Sequence, residues 1–117
     1  SPQAEAQRKE KERLYALLDQ AATFYEKSLW AESGQPVQEY LASRDLREEV
    51  CREFRLGLSP GGSTLAQKAQ DKGFTRAELS AAGLLTRRGT DYFQRRLMFP
   101  LADARGRRAR VSTVVGR

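Results

Sequence analysis

Apolar residues recur at three- and four-residue steps along the first third of the chain: Leu14, Leu17, Leu18, Ala21, Ala22, Phe24, Tyr25 and Leu29. That spacing matches a helix of about 3.6 residues per turn, so the stretch reads as a long amphipathic helix burying one face. Ahead of it, Gln3 to Arg13 is highly charged and carries no apolar stripe, which suits a solvated helical lead-in or linker. Ser1-Pro2 is a fair opening for it, an N-cap followed by proline in the first turn. The aromatic set Phe24, Tyr25 and Trp30 has two readings, a platform for stacking bases or core packing, and the helical spacing favours the core.

Glu32-Ser33-Gly34-Gln35-Pro36 should end this helix, with Gly34 as C-cap and Pro36 opening a second helix that runs to about Arg44. Val37, Tyr40 and Leu41 would face inward on it. Asp45 then marks a turn, and Leu46, Val50, Cys51 and Phe54 predict a third helix of the same size. Arg55 to Leu58 alternates and stops at the loop signal Ser59-Pro60-Gly61-Gly62. Ser63 or Thr64 would cap a fourth helix through Leu65, Ala66 and Ala69, ended by Gly73. Thr75-Arg76-Ala77-Glu78 has the form of a capping box, and its helix carries Leu79 and Ala82 before closing at Gly83.

From there the period shortens to two. Leu84-Leu85-Thr86 reads as a strand, Arg87 to Thr90 as a turn, and Tyr92 to Leu101 as a second strand. Asp103 to Gly106 forms an Asp-x-x-Gly turn, after which Val111, Val114 and Val115 can pair back. The expected fold is α+β, with a helical N-terminal two-thirds packed on a small antiparallel β-meander near the C-terminus.

Composition narrows the chemistry. At 117 residues, 39% of them apolar, the chain suits one domain with a modest core. No apolar run approaches the roughly 20 residues of a membrane span, and no charged-then-apolar signal-peptide pattern is seen in these residues. The lone Cys51 has no disulfide partner and reads as a small buried residue; without any histidine there is no plausible zinc site and no histidine base. A reducing cytoplasm is the expected compartment. The chain opens on Ser-Pro and its single methionine is Met98, which points to a piece of a longer protein.

The net charge of +6 is unevenly placed. Between Arg87 and Arg117 lie nine arginines and two aspartates, whereas the preceding residues carry 12 Lys/Arg against 13 Asp/Glu. All nine are arginine, the side chain suited to bidentate phosphate contacts and to stacking on bases. Scattered charges are ordinarily just a solvated surface; concentration on a strand pair favours a polyanion partner. On a strand, Arg95 and Arg96 would point to opposite faces, one guanidinium held against the fold and the other free for a ligand. Nucleotidyl transfer needs converging carboxylates for Mg²⁺, and Asp91 and Asp103 read better as turn formers. Gly61-Gly62-Ser63-Thr64 lacks the spacing and lysine of a phosphate loop. By itself the chain should be inactive.

The residues carry a resemblance as well. Leu14-Tyr15, Ala21-Ala22-x-Phe24-Tyr25 and Tyr40-Leu41-x-x-Arg44-x-Leu46 are followed by Phe54-Arg55-Leu56-Gly57-Leu58-Ser59-Pro60. Then come Lys72-Gly73-Phe74, Glu78-Leu79 and Ala82-Gly83-Leu84, and finally Phe93-x-x-Arg96-Leu97-Met98-Phe99-Pro100-Leu101-x-Asp103-x-Arg105-Gly106-Arg107. In this order they resemble the N-terminal subdomain of the RNA-polymerase core of bacterial replicative DNA primases. That family places the subdomain between a zinc-binding domain and a TOPRIM domain. The resemblance implies a charged lead-in over residues 1–13, the primase subdomain over 14–107, and a divergent or non-native tail over 108–117.

It implies a parent that synthesises short RNA primers for DNA replication, a DNA-directed RNA polymerase and nucleotidyltransferase of the cytoplasmic, nucleoid-associated primosome. The Mg²⁺ and Zn²⁺ would belong to other parts of that parent. Partners would be single-stranded DNA template, the RNA–DNA hybrid, the rest of the primase chain and the replicative helicase. Basic residues of the subdomain would line the template groove: Arg96 and Arg44 match basic positions of the family, and Arg95, Arg105, Arg107 and Gln94 join them from the arginine-rich ribbon. The family usually has arginine where Gln94 stands. Beyond Arg107 it continues as Val-x-Gly-Phe-Gly-Gly-Arg, and the segment Arg108 to Arg117 departs from that pattern. A reading of a different class is a non-catalytic helical module docking a partner protein through Leu14–Leu29 with Phe24, Tyr25 and Trp30.

Overall fold

The computed structural model describes residues 1–101 and the backbone of residues 102 and 108–113. The first element, α1, is one unbroken helix, Pro2–Trp30, so the charged lead-in continues straight into the amphipathic stretch. Ser1 Oγ accepts from the Ala4 N–H and starts it. Its C-terminal half is the spine of the domain, with Leu17, Leu18, Ala21, Ala22, Tyr25 and Leu29 all buried.

After a 3₁₀ turn, Glu32–Gly34, come α2 (Gln35–Ser43) and α3 (Glu48–Glu53). Leu46 and Phe54 lie outside α3, being 40% and 65% exposed, which corrects their assignment to the apolar face of a longer helix. The reason is local. Asp45 takes a left-handed φ of 62° and Arg55 one of 57°, so the chain turns sharply on both sides of a six-residue helix. Strand β1, Gly57–Ser59, is followed by α4 (Thr64–Asp71) and α5 (Arg76–Ala81). Thr75 and Glu78 make the expected reciprocal capping box at α5.

The sheet is completed by β2 (Arg96–Ala102) and β3 (Arg108–Thr113), antiparallel in the order β1-β2-β3. The fold is α+β, and its first strand comes from mid-chain, with α4 and α5 inserted before the second. The segment Leu84–Thr86 makes a single bridge, Leu85 to Asp91, in place of a strand. β2 begins at Arg96, later than expected, because Arg95 has a φ of 53° and cannot continue a ladder. Val111 pairs with Pro100 as part of β3, whereas Val114, Val115 and the Asp103–Gly106 turn lie outside the described residues.

Two apolar clusters lie along α1. Leu17, Leu18, Ala21 and Tyr25 meet Leu65, Ala66, Ala69, Phe74, Leu79, Leu84, Leu85 and Met98. Leu29 meets Leu41 and Cys51, flanked by Trp30, Val37, Leu56, Leu58 and Leu97. Each fully buried leucine contributes about 2 kcal/mol of apolar transfer. Burial also raises the Cys51 thiol pKa, in keeping with a packing role. No described helix is long and apolar enough to cross a membrane.

Candidate nucleic-acid interface

The segment Asp91–Gln94, just ahead of β2, is fastened to the end of β1 and the loop after it. Ser59 Oγ donates to the Phe93 carbonyl at 2.6 Å, and the Asp91 N–H donates to the Gly62 carbonyl at 3.0 Å. The Gln94 amide reads both sides of Gly62: its Oε1 accepts from the Gly62 N–H at 2.7 Å and its Nε2 donates to the Gly62 carbonyl at 3.1 Å. The same Nε2 donates to the Asp91 carbonyl at 2.8 Å. Gln94 is therefore spent on holding the segment in shape.

That shape sets the two arginines beyond it. Arg95 sits in the left-handed region and Arg96 opens β2 opposite Ser59. Both are exposed, and among the described residues neither makes an ion pair. The expectation that one of them is held against the fold is corrected: Arg95 is off the strand, and the parity argument does not apply to it. Arg96 shares its parity with buried Met98 yet is itself exposed.

Arg44 follows α2, its guanidinium carbon 5.3 Å from the centroid of the Tyr40 ring, one helical turn earlier. Leu41 and Leu97 pack in the same apolar cluster, so Arg44 and Arg96 extend from elements that share a core. Arg105 and Arg107 lie outside the described residues.

Three other arginines, Arg13, Arg52 and Arg55, are committed to the protein itself. Arg55, from its left-handed position, donates to Glu26 at 2.8 Å, Asp19 at 3.0 Å and Thr23 Oγ1 at 3.0 Å. Arg13 donates to both Glu78 oxygens and to the Gly73 carbonyl, with its guanidinium over Phe74. Arg52 pairs with Glu48 and lies over Trp30. Sequence reasoning did not single out the Arg55 network. Its signal was available: Asp19, Thr23 and Glu26 fall on one face of α1 at helical spacing. Tyr25 is 2% exposed, and half-buried Phe24 and Trp30 pack against the two apolar clusters, so the aromatic residues of α1 serve the fold.

Asp91 is the residue whose role differs most from the sequence reading. It is 2% exposed and accepts from the Leu65 N–H and the Ala66 N–H, both at 2.9 Å. It thus caps α4 from across the chain, where Ser63 makes no side-chain cap bond. Burial pushes its carboxyl above the ordinary carboxylate range, opposed by these two N–H donors. Among the described residues, no group of three or more His, Cys, Asp or Glu converges as a metal site.

Comparison with known proteins places this arrangement. A family described as the DNA primase catalytic core, N-terminal domain, matches residues 24–113. The DNA primase of Mycobacterium tuberculosis is 37% identical over 99 residues, which cover 80% of this chain and 15% of that protein. Among solved structures, the RNA polymerase domain of the M. tuberculosis primase DnaG, in complex with a double-stranded DNA oligomer with a 6-nucleotide overhang, superposes with a TM-score of 0.76. It is 36% identical, over 84% of this chain and 32% of that one. A DnaG primase catalytic domain bound to ssDNA superposes with a TM-score of 0.81 at 31% identity, over 92% of this chain and 36% of that one. The chain thus spans a small part of the length of these relatives. The matched residues include the long helix from Phe24, all of α2 to α5 and the three strands, and the chain belongs to the family of DNA primase catalytic core N-terminal domains.

Proposed function

We propose that this chain is the part of a DNA primase that supplies a basic wall to the nucleic-acid groove, contacting single-stranded template or the short RNA–DNA hybrid during primer synthesis. Arg96 and Arg95 are the direct contacts, with Arg44, Arg105 and Arg107 as further phosphate ligands. Gln94 acts as a positioning residue, its amide being engaged with Gly62 and Asp91. The carrying observation is the sorting of arginines. Arg13, Arg52 and Arg55 are ion-paired to the protein, while Arg44, Arg95 and Arg96 are exposed and carry no ion pair among the described residues. A related primase domain bound to ssDNA supports the direction of the reading.

The catalytic carboxylates and Mg²⁺ belong in this reading to a TOPRIM domain elsewhere in the parent, and Zn²⁺ to its zinc-binding domain. The helicase would be met through the parent, in the cytoplasm. Primer synthesis would need all of these parts; the wall needs only this one.

Binding of a fluorescent single-stranded oligonucleotide by anisotropy, at two salt concentrations, tests the wall. Affinity should fall with salt, and Arg96→Ala should weaken binding about tenfold and lower the salt slope by about 0.7, the value of one phosphate contact on a single strand. Binding that ignores salt, or an Arg96→Ala variant that binds like the parent, refutes it.

A further inference from the structure

A second group of arginines lies away from the start of β2. The hairpin Leu84–Tyr92 is closed by hydrogen bonds from the Tyr92 N–H to the Leu84 carbonyl and from the Thr86 N–H to the Thr90 carbonyl, both 2.9 Å. At its tip the Gly89 N–H donates to the Thr86 carbonyl at 3.0 Å, and Gly89 takes a φ of 88°. This is a three-residue hairpin loop with glycine in the left-handed position, and it puts Arg87 and Arg88 at the outermost residues. The hydroxyls of Thr86 and Thr90 meet at 2.8 Å beneath them, and the Thr90 N–H donates to Thr86 Oγ1 at 3.2 Å. The tip is thus a braced loop.

A third guanidinium joins it from α5. A Cβ built on Gly89 would lie 2.5 Å from an Arg76 Nη2, so the Arg76 guanidinium rests on the glycine. Arg76, Arg87 and Arg88 are all exposed, and among the described residues none makes an ion pair. From Leu79 to Thr90 the sequence contains no acidic residue, and the next one, Asp91, is buried on α4. Along the chain between this tip and Arg95 comes Tyr92, 60% exposed, its ring in a T-shaped contact with Phe93 at 5.0 Å.

We propose that Arg76, Arg87 and Arg88 form a second phosphate-binding site, which holds the backbone of a nucleic-acid strand extending from Arg95 and Arg96, with Tyr92 stacking a base between the two. The proposal rests on the reading of the chain as a nucleic-acid wall and adds a site to it. Three guanidinium groups around a braced loop, none paired with a carboxylate among the described residues, suit an extended polyanion, and an exposed aromatic ring nearby in the chain suits one that carries bases. An acidic protein surface would use the charges and leave the ring idle.

The test uses the 117-residue chain and fluorescent oligodeoxythymidylates. One is of about 6 nucleotides, which one site can fill, and another of about 18, which can span both. The longer strand should bind more tightly. Joint replacement Arg87→Gln with Arg88→Gln should remove most of that gain, about tenfold, and lower the salt slope for the longer strand by about 1.4. The shorter strand, held at Arg95 and Arg96, should change less than about twofold. Arg76→Gln, outside the turn, should give a smaller loss of the same kind. Arg96→Ala should weaken both lengths. Unchanged affinity and slope for the longer strand in the tip variants overturn the second site while leaving the wall standing. Competition by a poly-glutamate peptide as effective as the unlabelled oligonucleotide at equal charge overturns the choice of partner. If the parent chain binds neither length, the wall itself fails, and the second site with it.

Discussion

Replacing Asp91 by alanine should cost the domain about 4 kcal/mol. The carboxylate accepts from two backbone N–H groups, Leu65 and Ala66, whose residues are each 2% exposed. At a solvent-exposed cap, water would take its place, and the loss would be about 1 kcal/mol. Here water has no access, so each abandoned N–H carries about 1–3 kcal/mol of unmet desolvation. Two such groups give about 4 kcal/mol, a large share of the roughly 5–15 kcal/mol that holds a domain of this size. The melting temperature should drop by roughly 15 °C, at about 4 °C per kcal/mol. Asp91→Asn keeps one acceptor and points an amide N–H₂ at the other donor, for a loss of about 2 kcal/mol.

Urea denaturation followed by far-UV circular dichroism measures both, with an unchanged m-value as the check that the same two states are compared. A loss below about 1 kcal/mol for Asp91→Ala would refute the reasoning, because it would mean that water caps α4 in the variant. The pH dependence supplies a second, signed test. Burial, against the pull of the two donors, raises the Asp91 carboxyl above its ordinary value of 3.8. The folded state therefore holds this proton more firmly than the unfolded chain. The margin of the parent over Asp91→Asn is then greatest below the unfolded pKa and shrinks as pH rises through the folded one. A margin that widens over that interval would reverse the assignment.

Two further outcomes follow from the packing around α1. Glu78 is held down to about 2, from an ordinary 4.5, first by its hydrogen bond from Arg13 and then by the Thr75 N–H. Its contribution is present above 4.5 and lost as pH falls toward 2, so the gap in urea midpoint between the parent and Glu78→Gln should close over that interval; a constant gap would refute the pairing. Gly57 faces Met98 across the sheet, and a Cβ there would lie 2.6 Å from Tyr25 Cβ and from the Tyr25 carbonyl carbon. Gly57→Ala should force β1 off α1 at a cost of about 1–3 kcal/mol by urea denaturation, and a loss below about 0.5 kcal/mol would show that the helix and strand are not in close contact.

The parts of the fold legible in the sequence are those with a local signature. α1 announced itself by spacing, α5 by Thr75 and Glu78, the hairpin tip by Arg87-Arg88-Gly89, and β2 by its apolar run. What escaped was set by residues far apart in the chain. Asp91 caps a helix that begins 27 positions before it, at Thr64, where sequence adjacency points to Ser63 or Thr64 as the cap. Arg55 reaches 29 residues back to Glu26. The late start of β2 and the exposed Phe54 both follow from non-glycine residues at positive φ, which side-chain pattern cannot reveal. Arg96 could be named from its motif. That Gln94 is a brace depended on where the Gly61–Gly62 loop lies.

That distinction bears on how the site is built. At position 94 this chain has a glutamine whose amide makes three hydrogen bonds to Gly62 and Asp91. A guanidinium offers donors alone and cannot accept from the Gly62 N–H, so it could not repeat this contact. Directly after this brace comes Arg95, exposed and in the left-handed region. Asp91 ties the same loop to α4 and to the hairpin that presents Arg87 and Arg88. Two uncharged or buried groups, the Gln94 amide and the Asp91 carboxyl, therefore fix the directions in which both sets of arginines face. The orientation of the basic surface is set by residues that need not touch nucleic acid at all.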